Sequence, residues 1–241
     1  MIAVAFADDL VEAAVLLAEP SMTVEKRRAF RRERDRLYVV SDVDEREARF
    51  RHLHRRWFLD LDLDCGIERM IGDRLTDASG ASLPEECRVV GAVTRPEEGA
   101  DLVDRIAPES GAVQPVLVIR LRPLTLLDSK AVAALLQHEL THVADMLDPA
   151  FGYERALPPS GEGPSADTIL RDRYRVLWDT TIDGRLARAG RADKVVRHVR
   201  RREFVDTFVM LGDRRLAAFD EWFDCLQPDH ARLAAYARSP E

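Results

Sequence analysis

Two histidines and a glutamate stand at the spacing that a zinc ion and an attacking water molecule require. In the segment His138-Glu139-Leu140-Thr141-His142, the histidines are four residues apart and the glutamate directly follows the first. On an α-helix the two imidazoles lie on one face, one turn apart, and can bind a single Zn²⁺. The glutamate can then take a proton from a metal-bound water. The motif predicts His138 and His142 as metal ligands and Glu139 as general base.

The residues around this motif predict the helix that it needs. Asp128 or Ser129 can cap the start of the helix, and neither Gly nor Pro occurs from Ser129 to Asp148. Pro149 ends the pattern. Apolar residues recur at spacings of three and four, which would bury one side of the helix. They are Val132, Leu136, Leu140, Val143 and Leu147. The alternative is a surface helix that carries two incidental histidines.

A short segment before the helix has the composition of a β-strand. Residues 114–122, QPVLVIRLR, are rich in β-branched side chains. A strand, a short connection and an HExxH helix together resemble the zinc-peptidase superfamily called zincins. The resemblance covers about the middle third of the chain and implies a zincin-like core with peptidase chemistry.

A hydrolytic zinc site needs a third protein ligand and an open fourth position. Asp145 follows His138 by seven residues, which places it about 10 Å further along the helix axis, too far to share one ion. Asp148 stands where the metzincin pattern HExxHxxGxxH has its last histidine. That pattern has Gly at the position of Asp145, because its helix must break there.

A later segment offers two further carboxylates. Asp179 and Asp183 are four residues apart among apolar neighbours in the segment 171–186. They resemble the ExxxD pattern of gluzincins, in which the first acid binds zinc and the second holds a ligand histidine. The resemblance implies Asp179 as a metal ligand and Asp183 as the acceptor of a hydrogen bond from His138 or His142. Gly184 would let this helix approach the HExxH helix closely.

Two alternatives to that assignment remain open. Asp179 and Asp183 can be exposed acids that pair with helix neighbours such as Arg175 and Arg188. In addition, the segment HELTHVADM from His138 resembles the peptidases related to the Mlc titration factor, whose third ligand is a distant Glu beside an aromatic residue. Glu203 followed by Phe204 matches that description. We rank Asp179 first, Glu203 second and Asp148 third as the third metal ligand.

Composition and charge indicate which partners the chain can bind and in which cellular compartment we expect it. The chain has 241 residues, 33% of them charged, and a formal net charge of −7, which argues against general affinity for nucleic acid. Its three cysteines, Cys65, Cys87 and Cys225, form no CxxC pair and favour a reducing compartment. The apolar N-terminal residues contain acids that a secretory signal would lack, and no segment has the length of a membrane span. We therefore expect a cytoplasmic protein.

Three regions follow from the pattern of elements. Residues 1–76 are predicted to be helical, with helices at 8–17, 23–38 and 42–61 and a fourth through Arg74. Residues 77–148 carry two predicted strands, from Cys87 and from Val116, and the HExxH helix. Residues 149–241 begin with a Pro- and Gly-rich loop to residue 166, either a substrate-binding flap or a plain connection, and continue with three helices. We expect one compact domain of the α+β class, predominantly helical, with a small sheet beside the HExxH helix.

The chemistry of the motif predicts a zinc-dependent hydrolase, with a peptide or protein as its substrate. Two other functions compete with a metallopeptidase: a non-catalytic metal-binding or regulatory protein, and a metal-dependent hydrolase of a non-peptide amide. A basic stretch between Arg185 and Arg202 either docks an acidic partner or forms a solvated helix face. Tyr153 and Tyr174 are candidates for contact with a developing oxyanion. The sequence does not indicate the oligomeric state.

Overall fold

The structure of the chain is a computed structural model that describes residues 2–75, 83–106, 111 and 113–240. It is 62% helical and contains a small mixed sheet of four strands. The predicted class, a predominantly helical α+β protein, is confirmed. Because the predicted regional boundary near residue 76 lies outside the described residues, the division into three regions stays a prediction.

Strand β1 comes first in the described chain, helices separate it from the other three strands, and further helices follow the last strand. The strands are β1 (Ala3–Phe6), β2 (Glu86–Gly91), β3 (Gly99–Ile106) and β4 (Val113–Leu121). The α-helices are α1 (Asp8–Ala18), α2 (Val24–Leu37), α3 (Val43–Asp60), α4 (Ile67–Leu75), α5 (Ser129–Leu147), α6 (Pro164–Arg188), α7 (Val196–Thr207), α8 (Arg215–Phe223) and α9 (His230–Arg238).

Local capping explains where several helices begin. The side chain of Thr23 accepts a hydrogen bond from the backbone N–H of Lys26 at 3.2 Å at the start of α2. Asp42 caps α3 in the same way through the N–H of Glu45 at 2.8 Å. Asp128 accepts from the N–H of Lys130 at 3.0 Å and so defines the start of α5. These helix starts lie within two residues of those that the sequence predicted.

The sheet has the order β1-β2-β4-β3. Strands β1 and β2 are parallel, as are β2 and β4, whereas β3 runs antiparallel to β4. The sequence prediction found β2 and β4 but not β1 and β3. Strand β1 is only four residues long, and β3 includes three charged residues among its eight, so the first is too short and the second too polar for the pattern to predict a strand.

Backbone contacts divide the chain into two compact units. The first consists of residues 2–73 and 83–139, with the four strands, helices α1 to α3, most of α4 and the first half of α5. Its core is formed by the inner faces of the sheet and of the helices. The largest fully buried side chains there include Phe30, Ile67, Ile71, Leu117, Ile119 and Leu121.

The second unit contains residues 74–75, the second half of α5 and the four helices α6 to α9. The sequence prediction of three helices in this part is wrong, because the kink at Gly212 separates α7 from α8 and a further helix follows at His230. Its core is aromatic, and the fully buried rings include Phe204, Phe208, Phe219 and Trp222.

The expected role of Gly184 is corrected by the packing of α6. A Cβ atom built on Gly184 would lie 1.7 Å from the carbonyl oxygen of Phe223. Gly184 therefore allows α6 to approach the end of α8, and the close neighbour is not the HExxH helix.

None of the described helices combines the length and the apolar character that crossing a bilayer requires.

Candidate metal centre

Helix α5 presents the HExxH segment as the sequence predicted. Val132, Leu136, Leu140 and Val143 are buried and anchor the helix, whereas His138, Glu139 and His142 are partly exposed. The helix is unbroken from Ser129 to Leu147, so the two histidines lie one turn apart on one face.

Helix α6 brings a carboxylate to this pair of histidines. The Nε2 atom of His142 lies 2.9 Å from Oδ1 of Asp179. His138, His142 and Asp179 each offer one ligand atom, and these atoms all lie within 4.8 Å of one another. Among the described residues, this is the group of three metal-ligating side chains that the structure brings together.

The donor set fits a zinc ion. Two imidazole nitrogens and one carboxylate oxygen are ordinary zinc ligands, with metal–ligand distances of about 2.0–2.2 Å. In a tetrahedral site such ligand atoms are about 3.3 Å apart. The separation of 2.9 Å between His142 and Asp179 is shorter than that value, and the ligand atoms of all three residues lie within 4.8 Å of one another. The residues that the motif and the ExxxD-like pattern indicated can therefore hold the ion together.

Two arginines fix the second oxygen of Asp179. Its Oδ2 atom accepts hydrogen bonds from Arg175 at 3.1 Å and from Arg200 at 3.0 Å. Because the guanidinium groups occupy Oδ2, the carboxylate is held with Oδ1 towards His142. This is the orientation that a ligand binding through one oxygen needs.

Arg200 also connects the other carboxylates of this region. It donates to Asp183 at 2.7 Å and to Glu203 at 2.5 Å. Burial opposes the charge of Arg200, but Asp179, Asp183 and Glu203 outweigh it and raise the pKa of Arg200 above its usual value. Only 7% of Asp179 and 4% of Asp183 is exposed, so each depends on such charged partners.

Strand β3 positions the carboxylate of Glu139. The backbone N–H of Ala100 donates to Oε2 of Glu139 at 3.2 Å. The preceding residue, Gly99, leaves room for this carboxylate, since a Cβ atom there would lie 3.0 Å from Oε2. The sequence pattern did not predict this contact, because β3 lacks the apolar run that is typical of a strand.

Trp178 supports His142 from the side. The edge of one ring faces the other, with the ring centroids 4.4 Å apart. The indole N–H of Trp178 donates to Oδ2 of Asp145 at 2.7 Å, and Arg185 binds both oxygens of the same carboxylate. Asp145 thus has a structural role, in agreement with its exclusion as a ligand.

The other candidates for a third ligand lie elsewhere. Asp148 is exposed and caps the turn after α5 by accepting from the N–H of Ala150 at 2.8 Å. Glu203 pairs with Arg175 at 3.0 Å and with Arg200, and is not one of the three clustered ligand residues. Asp183 is held by Arg200, and its expected hydrogen bond to a histidine stays a prediction.

The alternative with two exposed acids fits only in part. Arg175 pairs with Asp179, as this alternative predicts. However, Asp179 and Asp183 are both buried, and Arg188 donates a hydrogen bond to the backbone carbonyl of Phe223. Part of the basic stretch between Arg185 and Arg202 pairs with acids of the chain itself. Arg197, for example, pairs with Asp220 at 2.8 Å.

Comparison with known proteins adds no relative: no family model matches the chain, and neither the curated proteins nor the solved structures contain a significant match.

Proposed function

We propose that this chain is a zinc-dependent hydrolase of peptide bonds, with a zincin-like relationship that rests on its HExxH motif. The observation that supports the proposal is the cluster of His138, His142 and Asp179, with Glu139 next to His138 on the same helix. Two imidazoles and a carboxylate leave the fourth zinc position open, as catalytic sites require.

A bound zinc ion would supply Lewis acidity, which makes water a stronger acid and polarises a carbonyl. Glu139 supplies the proton transfer. Its Oε2 atom accepts from Ala100, and Oε1 accepts no hydrogen bond among the described residues, so Oε1 is the atom that would receive the proton of the attacking water. The same atom would then deliver that proton to the leaving amine.

The surrounding residues keep these groups in place. Arg175 and Arg200 hold Asp179, and the edge of Trp178 packs against His142. Such supporting contacts restrict the rotamers of the ligands and typically contribute about 10–100-fold to metal affinity or activity.

The test of the proposal is Glu139→Gln. The amide keeps the size of the side chain and can still accept from Ala100, but it cannot accept a proton. We expect zinc content equal to that of the wild type and loss of hydrolysis of a peptide library, measured by mass spectrometry of the products. Glu162→Gln, at an exposed loop position, is the matched control.

Turnover that persists in Glu139→Gln would remove Glu139 from this role. Wild-type chain that binds zinc but cleaves no library peptide would favour the non-catalytic metal-binding function. Hydrolysis of small amides without cleavage of peptides would favour an amidohydrolase.

A further inference from the structure

A cavity of about 460 Å³ lies within the second unit. One wall is the loop that follows α5, from Tyr153 to Pro159, and the other is α6 with Leu170, Tyr174 and Trp178. Its volume falls within the range of about 300–1,000 Å³ that is typical of small-molecule sites.

Aromatic, aliphatic and charged side chains share the walls of this cavity. The ring centroids of Tyr153 and Tyr174 each lie 5.6 Å from that of Trp178, so the two tyrosines flank the indole. Leu157 and Leu170 add aliphatic surface. Two acids and two arginines balance each other among the lining residues: Glu154, Asp167, Arg155 and Arg171.

The loop wall is anchored rather than loose. The ring of Phe151 is buried and stacks on Trp178 with centroids 5.1 Å apart. The carbonyl of Phe151 accepts from the N–H of His230 at 2.8 Å, and Arg238 donates to the carbonyl of Pro158 at 2.9 Å. These contacts hold the loop wall in place, which lowers the entropic cost of ordering it around a ligand.

Trp178 joins the cavity to the metal-ligand cluster. Trp178 directly precedes Asp179 on α6 and lines the cavity. Its ring also contacts that of His142, with the ring centroids 4.4 Å apart. A group that enters the cavity against Trp178 thus lies one indole ring away from a metal ligand.

We propose that this cavity is a specificity pocket that receives a large apolar side chain of the substrate, preferably an aromatic one. The proposal rests on the proposed function for the identity of the ligand as a peptide. Aromatic walls favour a flat apolar group through offset and edge-to-face contacts, and the balanced charge of the lining disfavours a strongly charged side chain.

Binding is measured first without hydrolysis. The full-length His138→Ala variant, which lacks a metal ligand, is titrated with N-acetyl-phenylalanine amide and N-acetyl-alanine amide, and the indole N–H signals are followed by NMR. We expect the signal of Trp178 to shift and those of Trp57 and Trp222 to stay. The phenylalanine compound should bind about tenfold more tightly or better, because it buries more apolar surface.

Tyr153 supplies the matched pair of variants. Tyr153→Ala removes one wall and should weaken binding of the phenylalanine compound about three- to tenfold, whereas Tyr153→Phe should retain it. Leu157→Ala provides a second test on the same loop. Unchanged thermal unfolding shows that each variant is folded.

The outcomes separate the pocket from the hydrolase. Equal binding of both compounds, or a shift confined to Trp57 or Trp222, would overturn the pocket. Selective binding without cleavage of any peptide by the wild type would leave the pocket standing and overturn the hydrolase. Cleavage of library peptides with no preference for aromatic or large aliphatic residues would support the hydrolase and overturn the pocket.

Discussion

Two regions of this protein are rich in arginine, and they use it in different ways. Helix α2 carries seven basic residues and three acids, and its paired arginines remain partly or largely exposed, such as Arg31 and Arg34 beside Glu19. In the α6–α7 region, Arg200 is mostly buried and joins Asp179, Asp183 and Glu203. Helix α2 has the higher density of charge, but the arginine that links three acids in the α6–α7 region is the more enclosed one.

The difference shows which charge patterns in a sequence indicate a functional site. A basic helix in water is stable without specific partners, because exposed ion pairs contribute only about 0–1 kcal/mol each. Carboxylates within an apolar helix face, such as Asp179 and Asp183, need defined partners, and these partners fix their geometry. The acids of α6 therefore indicate a site, whereas the arginines of α2 do not.

The largest expected effect is on the buried network. Arg200→Met keeps the length of the side chain but leaves Asp179 and Asp183 without their main cation. Removal of one partner from such a buried arrangement typically costs about 3–5 kcal/mol. We expect a loss of that order in the free energy of unfolding of the metal-free chain, measured by urea denaturation.

The matching change on the surface is Arg49→Met in α3, where Arg49 pairs with Glu45 at 2.6 Å and both side chains are about half exposed. The expected loss is about 0.3–0.5 kcal/mol. Similar losses for the two variants would contradict the distinction between the two regions.

The carboxylate of Glu139 accepts a hydrogen bond from strand β3, and this contact can be tested through the rate of hydrolysis. In Gly99→Ala the new methyl group would press on Oε2 of Glu139. Because small displacements of a reacting group can reduce rates about 100-fold, we expect a loss of about 10–100-fold in peptide hydrolysis with unchanged zinc affinity. Gly91→Ala in β2, where a Cβ atom meets nothing within 4 Å, is the control. Equal turnover in both variants would show that β3 does not position Glu139.

His54 is the buried titratable group in the helical region of α2 and α3. Its Nε2 atom has no hydrogen-bond partner among the described residues. Burial lowers its pKa below the usual 6.5; Glu12 opposes this and Arg34 adds to it. As the pH falls below 6.5, the unfolded chain takes up the proton first, so stability should decrease until His54 is protonated in the folded chain as well.

The variant that tests this is His54→Phe, which should show a weaker decrease of stability between pH 6.5 and pH 5 than the wild type. The exposed His52→Gln should keep the wild-type decrease. Thermal unfolding at several pH values measures the difference, and identical profiles for wild type and His54→Phe would contradict a burial effect at His54.

The smallest effect is expected on the outer face of α2. Arg28, Arg32 and Arg36 are exposed, stand four residues apart and form no ion pair among the described residues. Substitution of each by Gln should change the free energy of unfolding by no more than about 0.5 kcal/mol per site. A much larger loss would reveal a structural role for these arginines.

Sequence patterns predicted the parts of this protein that follow a regular period. The apolar stripe from Val132 to Val143 predicted α5, because it reports directly on burial within one helix. The resemblance of Asp179 and Asp183 to the ExxxD pattern of gluzincins implied the carboxylate that lies beside His142.

Contacts between distant segments could not be predicted in this way. Ala100 contacts Glu139 through its backbone, so its side chain carries no signal. Arg200 looks like any other residue of a basic stretch, although it binds acids 17 and 21 positions away. Gly184 was recognised as a site of close approach, but the sequence could not show that its neighbour is Phe223.

The central claim is that His138, His142 and Asp179 hold one zinc ion. Competition titration with a chromogenic chelator tests it directly on the wild type and on His138→Ala, His142→Ala, Asp179→Ala and Glu203→Ala. We predict one zinc per wild-type chain, a loss of affinity greater than about 100-fold in the first three variants and near-wild-type affinity in Glu203→Ala. Wild-type chain that takes up no zinc at micromolar free metal, or an Asp179→Ala variant that binds as tightly as the wild type, would contradict the claim.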